Sequence, residues 1–128
     1  MSEKKLIYRV ATGKDHETIY DFGEQVHELG FPTVVAEKDD IIIGYISTQP
    51  STEQVVAGPM FVEENHNRGL ILIRMMDFYG EILKGLGITQ YRFGISVENE
   101  RLFGAAERLG AFQYEGIHGE NHIFKRAL

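Results

Sequence analysis

The chain is 128 residues long, 43% hydrophobic and 25% charged, with a net charge of −6, which suits one domain over residues 1–128 with a core of its own. No cysteine is present, so disulfides, thiolate metal ligands and a cysteine nucleophile are excluded, and any chemistry must come from oxygen and nitrogen groups. The acidic balance argues against a nucleic-acid partner, which calls for clustered Lys and Arg. The lack of a run of roughly 18 apolar residues argues against a membrane partner, and the opening MSEKKLIYRV has no apolar signal core, so a cytoplasmic location is expected.

Leu6 to Ala11 alternates and is β-branched, and Thr12-Gly13 bounds it: a first strand. Asp15 is the expected N-cap of a helix carrying Ile19, Phe22, Val26 and Leu29, ended by Gly30 and Pro32. Thr33 to Lys38 and Ile41 to Thr48, joined by Asp39-Asp40, have the composition of a hairpin. Gln54 to Val62 reads as a further strand with Gly58-Pro59 inside it. Proline cannot donate to a ladder, so strand pairing should break there on one side.

From Asn67 to Leu86, apolar Leu72, Met75, Met76, Tyr79, Ile82, Leu83 and Leu86 repeat at three and four, opposite Arg74, Asp77, Glu81 and Lys84. That period predicts the long central helix. Its glycines Gly80 and Gly85 cost about 1 kcal/mol each relative to alanine, which close approach to a sheet would explain. Thr89, Tyr91, Phe93, Ile95 and Val97 alternate with polar or small residues as a strand. Asn99 can cap a helix bearing Leu102, Phe103, Ala105, Ala106 and Leu109, which Gly110 stops. Phe112 to Ile117 and His122 to Arg126 then form a last hairpin around HGEN. The order is β-α-β-β-β-α-β-α-β-β, an α/β (α+β) arrangement with a mixed, mostly antiparallel sheet and helices on both faces.

The chain resembles the GNAT superfamily of acyl-CoA-dependent N-acetyltransferases over nearly its whole length. The order of elements is similar to the family's. So are FVEENHNRGLILIRMMDFYGEILKGLGI, which looks like its strand, phosphate turn and central helix, SVENERLFGAAERLGAFQYEG, and LIYRVATGKDHETIYDF. The resemblance implies acetyl-CoA as co-substrate, no metal, and a primary amine of a protein or small molecule as acceptor. It also implies that the strand around Gly58-Pro59 splays from its neighbour, so that Met60, Phe61 and Val62 meet the pantetheine arm with backbone groups. One amide there would receive the thioester oxygen as negative charge develops.

The turn that follows would hold the pyrophosphate on the outward N–H groups of a helix start, from Asn67, Arg68, Gly69, Leu70, Ile71 and Leu72. The family writes that turn as Arg or Gln, two residues, Gly, one residue, Gly or Ala. Counting back from Leu86-Gly87 puts Asn67 first and Leu70 and Leu72 at the small positions; counting from Arg68 puts Ile71 and Ile73 there. Neither register restores the glycines, whose lack of Cβ lets phosphate oxygens reach the main chain.

Glu63 is the first candidate for the base that takes the amine proton, with Glu64 and His66 behind it. The family's acid, a tyrosine, aligns with Ala106; Tyr79, Tyr91 and Tyr114 are substitutes that also read as ordinary packing residues. Asn99 would reach the pantetheine in addition to capping its helix. About 20 residues separate Ala11 from Thr33, room for one helix where the family places two, so the acceptor side is expected to be open or walled by a partner, including a second copy of the chain. The competing reading is a GNAT-like module without catalysis, used for binding or regulation. Other signals carry less: Gly85 and Gly87 lack the third glycine of a dinucleotide fingerprint, and Gly13-Lys14-Asp15 lacks the upstream glycine of a phosphate loop. His118 and His122 flank a turn rather than sharing a helix face, which argues against zinc.

Overall fold

The computed structural model describes residues 6–12, 15, 33–49, 55–63 and 68–128. Every strand-like run within these residues joins one sheet: β1 (Leu6–Val10), β2 (Val34–Lys38), β3 (Ile41–Gln49), β4 (Val56–Val62), β5 (Gln90–Ser96), β6 (Gln113–His118) and β7 (Asn121–Ala127). Their spatial order is β1-β2-β3-β4-β5-β7-β6, and all neighbours run antiparallel except β4 and β5. Asp39 and Asp40 both take positive φ, 53° and 66°, as a two-residue hairpin turn demands and as aspartate tolerates better than most side chains.

The apolar stripes dock where their period points them. α1 (Arg68–Gly85) buries Ile71, Met75, Met76, Tyr79 and Leu83, and leaves Arg74, Asp77, Glu81 and Lys84 in solvent. α2 (Glu100–Leu109) buries Ala106 and presses Leu102 and Phe103 into the same cluster. Both helices therefore cover one face of the sheet. A smaller cluster of Val35, Ile42 and Tyr45, with Phe61 against it, lies on the other. The helix predicted after Asp15 falls outside the described residues. Among those residues, no helix is long and apolar enough to cross a membrane.

Two expectations about α1 need correction. Leu86 is not part of the stripe but 59% exposed, because the helix has already ended: Ile88 N–H reaches Leu83 O and Gly87 N–H reaches Lys84 O, both at 3.0 Å, with Gly87 at φ 83°. That is a Schellman stop, which a left-handed glycine permits. Gly80 does face a close neighbour, since a Cβ there would lie 3.0 Å from Leu128 Cδ2, but Gly85 faces open space.

Candidate functional site

The cleft is made by a strand that stops pairing. Ile46 faces Met60 and Thr48 faces Ala57, so β3 advances two residues while β4 advances three. The extra residue sits at Gly58-Pro59, where Gly58 holds φ 144°, a conformation that favours glycine, beside a proline that has no N–H to offer. On the other edge, the parallel pairing of β4 with β5 covers only Val56↔Arg92 and Ala57↔Phe93. Beyond Ala57 the two strands diverge.

A cavity of about 380 Å³ occupies the divergence. Its sides are Gly58 and Met60 of β4, Gly69, Leu72 and Met76 of α1, Phe93 to Ser96 of β5, and the face of α2 from Asn99 to Leu109. Backbone direction follows from one bond: Glu63 N–H donates to Ile43 O at 2.9 Å. Alternation gives Phe61 the same sense and turns the N–H and C=O of Met60 away from β3, toward the cleft.

No protein-family model matches the sequence, and no curated protein does. Solved structures do. The PaiA N-acetyltransferase of Thermoplasma acidophilum, in complex with coenzyme A, matches with a TM-score of 0.76 at 15% identity, covering 97% of this chain and 99% of that one. The ribosomal-protein-alanine N-acetyltransferase of Brucella melitensis matches at 0.74 and 16% identity, over 95% and 99%. The diaminobutyrate acetyltransferase EctA of Paenibacillus lautus, in complex with L-2,4-diaminobutyric acid and coenzyme A, matches at 0.70 and 18% identity, over 98% and 96%. The chain has the GNAT fold. At these identities the likeness concerns the fold, and activity must be argued from the site.

The GNAT cleft brings only some of the sequence-selected residues together. Met60, Gly69, Leu72 and Asn99 line the cavity. Phe61 lies in the opposite-face cluster and Val62 and Ile71 in the main core. Leu70 points to solvent at 46% exposure. Arg68 opens α1, and Asn67, Glu64 and His66 fall outside the described residues. Bulky side chains at the helix start thus leave the groove open: Leu72 is a wall and Leu70 is outside. Gly69 is exposed, and a Cβ added there would meet nothing within 4 Å, so an anion can approach the main chain at that point. Asn99 caps α2 with Oδ1 accepting from Leu102 N–H at 3.2 Å.

Glu63 is half-buried just past β4 and is not among the residues lining the cavity. By side-chain alternation it shares the face of Phe61, opposite the helices. The tyrosines named as substitute acids do not line the cavity either. Tyr79 OH bonds Thr48 Oγ1 at 2.5 Å, and burial pushes its pKa up to about 12. Tyr91 is also raised by burial and accepts from Arg126 at 3.5 Å. Tyr114 OH meets His122 Nδ1 at 2.9 Å near the surface. Ser96 and Asn121 were missed from the sequence; they supply polar lining beside Asn99. Their place depends on the Ser96↔Asn121 pairing of β5 with β7, which no local motif announces.

Proposed function

We propose that the protein is an N-acetyltransferase that moves an acetyl group from acetyl-CoA to a primary amine by direct attack in a ternary complex. The observation that carries this reading is the open cavity between β4 and β5, reached from the start of α1 and bordered by outward main-chain groups of β4. The N–H groups of the first turn of α1, around Gly69, are the donors for a diphosphate, because a helix start has four amides with no intrahelical partner and partial positive charge. Met60 would meet the pantetheine or the thioester oxygen through its backbone, with Phe61 and Val62 continuing the strand. Asn99, whose Oδ1 already serves the helix, has its NH₂ for the ligand.

In the transfer, the amine nitrogen attacks the thioester carbonyl, the C–S bond breaks and CoA leaves as thiolate. The amine, whose unperturbed pKa is about 10, must first lose a proton; Glu63, acting through water from the acceptor face, is the candidate base. Of the structural neighbours, EctA is bound to a small diamino acid and the Brucella enzyme is named for a protein alanine. Both carry amines, which supports that acceptor class. An open acceptor side suits a protein or peptide amine, or a wall supplied by a second copy of the chain.

One observation favours the second reading, a non-catalytic GNAT-like module in which the cleft only binds. Among the described residues, none of the side chains lining the cavity is ionisable, so none of them supplies an acid to the thiolate. Thermal unfolding with CoA tests binding: a ligand at 100 times its Kd adds about 2.7 kcal/mol, which moves the midpoint by several degrees in a domain of this size. No shift at millimolar CoA removes the enzymatic reading. A shift, followed by release of free thiol from acetyl-CoA in the presence of an amine or peptide panel, separates transfer from binding alone.

A further inference from the structure

The lining of the cleft changes character along its length. At the end where β4 and β5 are widest apart stand Gly69, Ser96, Asn99 and Asn121. α2 runs back along β5, so its later residues lie toward the closed end, where Val56 and Ala57 pair with Arg92 and Phe93. That end is lined by Met76, Phe93, Ala106, Leu109 and Phe112. Phe93 is held there as a fixed wall, stacked on Phe124 at 5.5 Å and edge-on to Phe112 at 4.9 Å between ring centroids.

From this gradient we infer that the cleft also takes acyl-CoA donors longer than acetyl, with its apolar end holding the acyl chain and Ala106 setting the room for it. The inference rests on the acetyl-transfer reading above and widens its donor class. The polar end matches the amides and phosphates of CoA. A thioester reaching the closed end would put its alkyl group among side chains that offer no hydrogen bond, where water gains least and each added methylene gains most. Ala105 and Ala106 are the small residues of the α2 face that lines the cavity, and they keep that face away from Phe93 and Met76. Leu109 lines the same end and is 45% exposed, so the apolar surface continues to the edge of the molecule instead of closing around a methyl group.

Titration calorimetry of the whole chain with CoA, acetyl-CoA, propionyl-CoA and butyryl-CoA tests this without knowing the acceptor. Affinity is expected to rise about fourfold per added methylene from acetyl to butyryl. Ala106→Leu should abolish most of that rise by filling the space. Because Ala106 is buried, Leu109→Trp, at a half-exposed site, gives a second variant with the same expected loss. If CoA binds but affinity is flat or falls beyond acetyl, the chain-length inference is overturned and the acetyltransferase reading stands. If CoA itself does not bind, both are overturned.

Discussion

At the scale of single residues, one charged cluster ties β1 to β2, away from the residues that line the cleft. Arg9 on β1 donates to Asp15 at 2.7 and 3.0 Å and to Glu37 on β2 at 3.3 and 3.4 Å. Asp15 also accepts from Thr12 N–H at 2.7 Å. The helix that Asp15 is expected to cap lies outside the described residues; within them its carboxylate reaches back three residues to Thr12. Hydrogen bonds from Arg9 are the main cause that holds its pKa down at about 2. A carboxyl whose folded pKa is depressed stabilises the fold above its unfolded value of 3.8, and that contribution fades as pH falls through about 2. Asp15→Asn should therefore cost roughly 1–2 kcal/mol at pH 7, shrinking to roughly a third of that at pH 2.5. Urea unfolding of both proteins at the two pH values reads the difference, and a gap that stays constant would assign the role of Asp15 to shape rather than charge.

At the scale of elements, one substitution type separates glycines the sequence cannot tell apart. A Cβ at Gly44 on β3 would stand 2.7 Å from the main-chain O of Phe61, whereas one at Gly85 meets nothing. Gly44→Ala should push β4 away and cost about 1–3 kcal/mol; Gly85→Ala, in a helix, should stabilise by up to about 1 kcal/mol. Chemical denaturation midpoints with unchanged slope would show both signs, and equal effects would contradict the placement of Gly44. Asn99→Ala should cost about 1 kcal/mol through the lost cap. The caps and stripes of α1 and α2 were legible because they are local: Asn99, Gly110 and the Met75, Met76, Tyr79, Leu83 face follow from periodicity and side-chain chemistry. The Gly58-Pro59 break was legible for the same reason. What the sequence hid is tertiary. Leu70 and Leu72 are identical residues two apart, yet one is solvent-exposed and the other walls the cleft, and Asn121 reaches the site only through its pairing partner.

At the scale of the molecule, the sheet is two ladders with a thin join. β5 and β7 share seven register pairs from Gln90↔Ala127 to Ser96↔Asn121, while β4 and β5 share two. The same divergence that opens the cleft removes ladder hydrogen bonds from the middle of the fold. Tyr79 of α1 crosses that join, bonding Thr48 on β3 and packing edge-on to Tyr91 of β5 at 5.3 Å. Opening at the join should therefore need less free energy than unfolding either ladder, since local stability follows the number of buried contacts and ladder bonds broken. Native-state hydrogen exchange should find the amide of Arg92, which donates to Val55 O across the join at 2.9 Å, exchanging faster than that of Phe124 in the β5–β7 ladder. Tyr79→Phe should widen that difference by weakening the bridge, at a cost of about 1 kcal/mol. CoA seated between the strands would contact both ladders and slow exchange at the join more than elsewhere, because a ligand bound only to the closed form stabilises it by mass action. Uniform slowing across the sheet would mean that the ladders already open together, and that the cleft is a fixed groove rather than the weak seam of the fold.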